Sequence, residues 1–334
     1  MHKVCLIRGD GIGPEVTTAA QRVIEAAGVA IEWVELPAGA GAVEEHGAVL
    51  PERTVEACRE LGVALKGPVT TPVGKGFKSV NVQLRQKLDL FAAVRPVRTM
   101  PGIKTRYDNV DLVVFRENTE GLYSGIENEI VPGVVQSLKI ATTKGCERIA
   151  KAAFEYAKER GRKKVTVFHK ANILKMSDGM FLDCAQRMRE AHFPGIAYEE
   201  LIIDNGCMQM VRDPGLFDVL LLENLYGDVV SDLCAGLVGG LGVVPGANIG
   251  LNCAVFEAVH GSAPTLEGKN VANPLAVIMS GVMMLNHLGE TAAGDRIRGA
   301  YDSVLSDGDP EHRTPDIGGT GTTSGFADAV IGKL

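Results

Sequence analysis

The sequence predicts an α/β protein with a mainly parallel sheet, and three observations carry that prediction. Short, continuous apolar runs such as 217–222 are the kind buried on both faces of a parallel sheet. Strand-like segments at 3–7, 112–115 and 165–168 alternate with helical periods at 144–160, 177–191 and 272–288. At 334 residues, 46% hydrophobic and 22% charged, the chain is long enough for a large core and two lobes.

Taken in order, residues 3–7 read as a buried strand that leads into Gly9-Asp10-Gly11-Ile12-Gly13-Pro14-Glu15. This is a Gly-rich turn with Pro14 at the first helical position, not a dinucleotide fingerprint: Pro14 breaks the pattern, and no acid closes a second strand at the right distance. Val16, Ala20, Val23, Ile24 and Ala27 give the next helix one apolar face, and a second helix starts near Pro51. The loop 67–74 imitates a Walker A motif, but its glycines are misplaced and Gly76 follows Lys75 where Ser or Thr is needed. Segment 126–142 alternates around Pro132-Gly133 and reads as a hairpin.

Composition excludes several classes. A net charge of −7 and few aromatics argue against nucleic-acid binding. Seven scattered Cys without a C-x-x-C read as reduced, mostly buried thiols. No signal or transit peptide is visible, and 274–285 is too short to span a membrane, so the expectation is a cytoplasmic protein without membrane contact.

One stretch runs against the acidic background. From Lys75 to Arg106 there are eight Lys or Arg and a single acid, Asp89. Ser79 is an N-cap candidate ahead of Val80, Leu84 and Leu88, so a helix start, with its free N–H groups, opens at this charge. Asn81 lies in the first turn and Arg85 on the same face, four residues on. With Arg95 and Arg116, which ends the strand 112–115, these groups could converge on a small polycarboxylate. The competing reading is a solvated basic helix face with an ordinary capping serine.

Acids supply the other chemistry. Asp228 and Asp232 are four apart and share a helix face, and Asp204 closes the apolar segment 201–203. Three carboxylates without His or Cys suit a hard ion, Mg²⁺ or Mn²⁺, although Asp228 alone could be a helix cap. Lys170 follows the strand ending at Phe168, where ligands of α/β sheets gather; beside a metal and other cations its pKa could fall far enough for a base. The long Gly- and Pro-rich segment 257–274 could wrap a cofactor.

In one order the chain carries GDGIGPE (9–15), GPVTTPVG (67–74), SVNVQLR (79–85), RPVR (95–98), RENTEGLYSGIE (116–127), HKANI (169–173), NLYGDVVSD (224–232), GANIG (246–250) and HGSAPTLEGKNVANP (260–274). It resembles the β-decarboxylating dehydrogenases over essentially its whole length, and within them the NAD-dependent isocitrate dehydrogenases. The resemblance implies a two-lobed, three-layer fold that is not a Rossmann domain. It implies a large domain of 1–97 plus 247–334, a small domain of 98–246, and a dimer clasp at about 126–142. It implies a homodimer with shared active sites, in which Lys170 and Asp204 come from the neighbouring subunit.

The implied reaction is the metal-dependent oxidative decarboxylation of isocitrate in the tricarboxylic acid cycle. Ser79, Asn81, Arg85, Arg95 and Arg116 would bind the substrate, Asp204, Asp228 and Asp232 the Mg²⁺ or Mn²⁺. Lys170 would be the base and Tyr123 the later proton donor. NAD would lie against Ile12, Thr70, Thr71, His260, Gly261, Ala263, Pro264, Thr265, Leu266 and Asn273. NADP-using relatives carry a Lys-Tyr pair matching 265 and 266, with Tyr and Arg partners matching 315 and 319. Here those positions hold Thr265, Leu266, Pro315 and Gly319, which leaves only Arg313 and Lys269 as nearby cations. Thr265 also departs from the Asp often found in NAD-using relatives, and Glu223 is an unusual acid ahead of Asn224. Two alternatives stay open: a sister enzyme for 3-isopropylmalate or homoisocitrate, which would lack the Ser-x-Asn pair, and a non-catalytic regulatory subunit, which would typically lose catalytic side chains.

Overall fold

The computed structural model describes residues 1–71 and 78–334. Lys75, the first cation of the basic stretch, and the end of the 67–74 loop lie outside the described residues. The chain divides into two compact units, Met1–Leu90 with Arg98–Asp108 and Val238–Leu334, and Phe91–Val97 with Asn109–Leu237.

The first unit contains strands β1 (His2–Ile7), β2 (Ile31–Glu35), β3 (Val63–Lys66), β11 (Pro245–Ile249) and β12 (Ala254–Ala258) in the order β2-β1-β3-β12-β11. All pairs are parallel except β11 with β12. Because β1 lies between β2 and β3 and an antiparallel strand follows, this is not the dinucleotide-binding sheet. Around it lie helices α1 (Gly13–Ala26), α2 (Gly41–His46), α3 (Glu52–Leu61), α4 (Val80–Lys87), α9 (Leu275–His287), α10 (Thr291–Asp307) and α11 (Thr323–Ile331). The apolar face of α1 is realised in full: Val16, Ala20, Val23 and Ile24 are completely buried. Pro14 falls on the second helical position, one later than expected, because Gly13 opens the helix. Gly9, at φ +78, brings its backbone so close to Pro68 that any Cβ would sit 2.0 Å from that carbonyl oxygen.

The second unit contains β4 (Ala92–Arg98), β5 (Asp111–Glu117), β8 (Lys164–His169), β9 (Ala197–Ile202) and β10 (Val219–Leu222) in the order β4-β5-β10-β8-β9, with β10 parallel to both β5 and β8. Every side chain of β10 is fully buried, as its unbroken apolar run requires. Residues 217–218, expected to begin this strand, instead follow a short 3-10 turn, Pro214–Leu216. Strands β6 (Gly121–Val131) and β7 (Val134–Ile140) form the separate antiparallel hairpin, turning at Pro132 and Gly133. Helices α5 (Thr143–Glu159), α6 (Ser177–His192), α7 (Ile203–Arg212) and α8 (Asn224–Leu237) complete the unit. No helix among the described residues is long and apolar enough to cross a membrane.

Charges are buried in the first unit at a place apolar patterning does not foretell. Lys66, 1% exposed at the end of β3, pairs with Glu257 of β12 at 2.5 Å. Glu257 also accepts from Asn248 Nδ2 at 2.6 Å and lies 3.6 Å from Arg85 of α4. Burial pushes the Glu257 carboxyl up, but the Lys66 and Arg85 charges outweigh it and hold the group at about 2, below its ordinary 4.5. A depressed carboxylate adds stability that is complete above the unfolded value and fades as pH falls toward the folded one. Removing one partner strands a buried charge, so Glu257→Gln should lose about 3–5 kcal/mol of unfolding free energy at neutral pH. Urea titrations should show the gap to wild type narrowing as pH falls from 4.5 toward about 2. A gap that does not change with pH would show that the pairing is not the source of the stability.

Candidate active site

The second unit gathers the strongest group of polar side chains around one carboxylate. Arg116 stands near the end of β5 and is 1% exposed. Its Nε and Nη2 donate to Asn224 Oδ1 at 3.0 and 2.8 Å, and its Nη1 donates to Asp228. The Tyr123 hydroxyl, from β6, donates to the other oxygen of Asp228, and the Arg116 guanidinium lies 5.0 Å from the Tyr123 ring centre. Arg95, on β4, donates to Ser231 Oγ and lies 3.7 Å from both Asp228 and Asp232. Two guanidiniums thus face two carboxylates one turn apart on α8. The helical spacing alone sets that shared face, and the fold brings the arginines to it.

Electrostatics follows the geometry. Burial raises Tyr123, and the neighbouring Asp228 raises it further, so the phenol keeps its proton at neutral pH. Asp232 is raised by burial, against the pull of Arg95. Gly227 makes the arrangement possible: a Cβ there would stand 2.5 Å from Arg116 Cγ and 2.6 Å from its Cβ. The glycine of the NLYGD motif therefore gives the arginine stem room against α8.

Lys170 follows β8 directly, and its ammonium pairs with Asp204 in the first turn of α7. That pairing draws the Asp204 carboxyl down. Exposed ion pairs add little to stability, and these side chains are 29% and 69% exposed, so the fold gains little from them. Asp204 does not join Asp228 and Asp232: among the described residues no three acids, His or Cys gather as a metal site. One chain offers two carboxylates of the right hardness, which suits a divalent ion whose remaining ligands are substrate, water or another chain.

In the first unit, Ser79 caps α4, accepting from Val82 N at 3.5 Å and from Thr71 Oγ1 at 3.2 Å. Buried Val80 and Leu84 fix the helix in the core. Asn81 Oδ1 and Arg85 Nε are buried with no hydrogen-bond partner among the described residues, so the chain leaves polar capacity at this helix unused.

The residues expected at the cofactor form a connected loop system. Ile12 N donates to Ser262 O at 2.9 Å, and Thr70 Oγ1 and Ser262 Oγ are 2.7 Å apart. Asp10, not singled out from the sequence, accepts from the backbone of Thr70, Ala40 and Gly41. Ala263 takes a left-handed conformation, φ 37, ahead of a 3-10 turn at Pro264–Leu266, and Glu15 accepts from Gly268 N at 2.6 Å. Thr265 and Leu266 stand exposed at this turn and Gly261 is exposed beside it. His260 is pushed down by burial, and its Nε2 has no partner among the described residues. Asn273 donates to Asp316 at 2.9 Å and accepts from Leu275 N at the start of α9. Arg313 donates from Nη2 to the Leu305 carbonyl in the last turn of α10, which turns its charge toward the helix end and away from a phosphate role.

Two further points were not legible in the residues. Asn224, present in the motif but given no role, orients Arg116 and ties it to the Glu120 carbonyl at 2.8 Å. Glu223, the unusual acid ahead of Asn224, accepts from Tyr226 N at 3.0 Å and Leu225 N at 3.3 Å and so caps α8. An acid directly before a helix was the available signal.

Substituting Gly227 tests how far the site depends on Arg116. Gly227→Ala should displace the guanidinium from Asp228 and Asn224. Truncating Arg116 itself to Ala should cost at least about a hundredfold in kcat/KM, as expected for one side of a desolvated charge pair. Gly227→Ala should fall on the same side, with far-UV circular dichroism unchanged. A loss under threefold in both variants would return Arg116 to a purely structural role.

Comparison with known proteins agrees with this architecture. The sequence matches the isocitrate/isopropylmalate dehydrogenase family profile over residues 3–330. It is 50% identical to a mitochondrial NAD isocitrate dehydrogenase catalytic subunit of Arabidopsis thaliana over 330 residues, 98% of this chain and 87% of that protein. It is 49% identical to a chloroplastic 3-isopropylmalate dehydrogenase of Solanum tuberosum over 307 residues, 92% of this chain and 86% of that protein. The crystal structure of the isocitrate dehydrogenase from Methylococcus capsulatus superposes with a TM-score of 0.96 at 49% identity, covering 100% of this chain and 99% of that one. The expectation of a cytoplasmic protein is overturned, because the isocitrate dehydrogenase subunits of plants, animals and yeasts at this identity are mitochondrial. Free thiols and the lack of a spanning helix carry no information about which reducing compartment holds a protein. With the profile matched almost end to end and a solved relative superposing over the whole chain, the protein belongs to the isocitrate/isopropylmalate dehydrogenase family.

Proposed function

We propose that the protein catalyses the NAD-dependent oxidative decarboxylation of isocitrate to 2-oxoglutarate and CO₂, the tricarboxylic acid cycle reaction. The observation that carries this reading is the convergence of Arg95, Arg116 and Tyr123 on Asp228, with Asp232 one turn on. It supplies cations for carboxylates, oxygen ligands for a hard ion and a protonated acid in one place. When bound, NAD would supply the hydride acceptor, and a divalent ion, Mg²⁺ or Mn²⁺, would supply the Lewis acid that polarises the hydroxyl and its neighbouring carboxylate.

The chain's own residues do the rest. Arg85, Arg95, Arg116, Ser79 and Asn81 bind the substrate's carboxylates, and the unused Asn81 amide oxygen and Arg85 Nε support a polar ligand there. Asp228 and Asp232, with Asp204 supplied by the neighbouring subunit, would hold the divalent ion. Lys170 removes the hydroxyl proton as the hydride leaves. After CO₂ departs, Tyr123 gives its proton to the carbon left behind. Ile12, Thr70, Thr71, His260, Gly261, Ala263, Pro264, Thr265, Leu266 and Asn273 line the NAD site.

A 3-isopropylmalate dehydrogenase at 49% identity makes substrate choice the point to settle. Ser79 and Asn81 favour isocitrate, since polar groups facing an isopropyl substituent would be left unpaired. A regulatory role is disfavoured by the presence of Tyr123, Lys170, Asp204, Asp228 and Asp232 together. The assembly we favour is a homodimer sharing its sites, with the β6–β7 hairpin as a clasp. Ile130, Val131 and Val135 of that hairpin are 61%, 54% and 66% exposed, and an isolated two-stranded hairpin is marginal in water. Relatives named as subunits make a mixed oligomer the competing arrangement.

Initial rates decide the matter. Activity with isocitrate and NAD should vanish with chelator and return with Mg²⁺ or Mn²⁺. NAD should be preferred to NADP, because no phenol or free guanidinium meets a 2′-phosphate at Thr265, Leu266, Pro315 or Gly319. A higher kcat/KM with 3-isopropylmalate, or with NADP, would overturn the respective assignment. Light scattering on the purified chain reads its assembly.

A further inference from the structure

Lys139 of β7 turns its ammonium inward while its hairpin neighbours Val134 and Val135 face water: its side chain is 15% exposed. Its Nζ lies 2.6 Å from Asp178 Oδ1, 3.9 Å from Glu223 Oε2 and 4.8 Å from the Tyr226 ring centre. Asp178, at the start of α6, is 3% exposed, and its other oxygen accepts the backbone N–H of Lys170 at 2.7 Å. Glu223 is 9% exposed and holds the first-turn N–H groups of α8, the helix that bears Asp228 and Asp232. With Glu117 and Asn224 these side chains surround a cavity of about 20 Å³, room for one water.

As a stability device this cluster is poorly designed. One cation serves two buried acids, and buried ion pairs rarely outperform packed apolar side chains of the same volume. Burial raises the Glu223 carboxyl despite the opposing pull of Lys139. What the arrangement does provide is reach: a single ammonium connects the backbone of Lys170 to the start of α8.

We propose that Lys139 is a positioning residue. Through Asp178 it fixes the backbone from which Lys170 projects, and through Glu223 it fixes the turn that aims Asp228 and Asp232. The inference rests on reading Lys170 as the base and these acids as metal ligands. A base shifted by about 1 Å can lose on the order of a hundredfold in rate, so a hold on backbone placement has leverage that a surface charge lacks.

The test combines amide exchange with kinetics on the full-length protein. In wild type the Lys170 amide should be protected, and Lys139→Met should exchange it at least about tenfold faster, since the opening free energy of that segment falls. Lys139→Arg should keep the protection. In Lys139→Met, kcat on isocitrate should fall about tenfold or more while KM for isocitrate and NAD stays within about twofold, the pattern of a misplaced base. If Lys139→Met does not fold, Asp178→Asn is read instead, and the same acceleration is expected. Unchanged exchange at Lys170 overturns the inference, and so does faster exchange with unchanged kcat. Faster exchange in a protein whose wild type does not oxidise isocitrate supports the hold by Lys139 and sinks the functional reading instead.

Discussion

The second unit depends on one constraint: a guanidinium that is 1% exposed must have its donors taken up. Arg116 satisfies this with Asn224 and Asp228. Isolated buried charges are prohibitive, so Arg116 in effect dictates what surrounds it. Asn224 must open α8 with its amide oxygen toward β5, Gly227 must lack a side chain, and Asp228 must point back at the strand. Because α8 is helical, Asp232 then follows on the same face without any further requirement. The arrangement that folds the unit is also the one that presents two carboxylates with two cations.

This explains why the motif NLYGDVVSD is so specific. Its Asn, Gly, first Asp and Ser each answer to one of two arginines, Ser231 accepting from Arg95. An isolated pair of aspartates on a helix is weak evidence for a metal site. A pair whose neighbours are individually required by buried guanidiniums cannot drift without cost to the fold. Lys170 and Asp204 form the contrasting case. Their pairing is exposed and contributes little to stability, so nothing in the fold requires it.

The first unit uses buried charge differently. Lys66, Glu257 and Asn248 form a pre-arranged set against which Arg85 rests, while Asp10 ties three loop segments through backbone N–H groups. Both devices replace what apolar packing cannot supply, a fixed direction for polar atoms. Arg313 shows the same logic working against a ligand: its guanidinium ends on a helix carbonyl, so a cation close in sequence to the cofactor positions is committed to structure.

Much of the molecule could be read directly from its residues, for identifiable reasons. Alternation of unbroken apolar runs with helical periods specifies parallel strands and covering helices, since burial on two faces or one face leaves different periods. The capping position of Ser79, the hairpin at Pro132-Gly133 and the shared face of Asp228 and Asp232 are local, and local geometry needs only spacing. What spacing could not reveal were encounters between segments far apart in the chain: Lys66 with Glu257, Arg116 with Asn224, Lys139 with Asp178. Glu223 had no assignable role in the sequence because a carboxylate before a helix caps it or faces a ligand depending on where the chain turns. Sequence determined the elements, the family and the chemical types available. Tertiary structure alone decided which of those charges neutralise one another and which remain for a substrate, because desolvation acts only once distant segments are brought into contact.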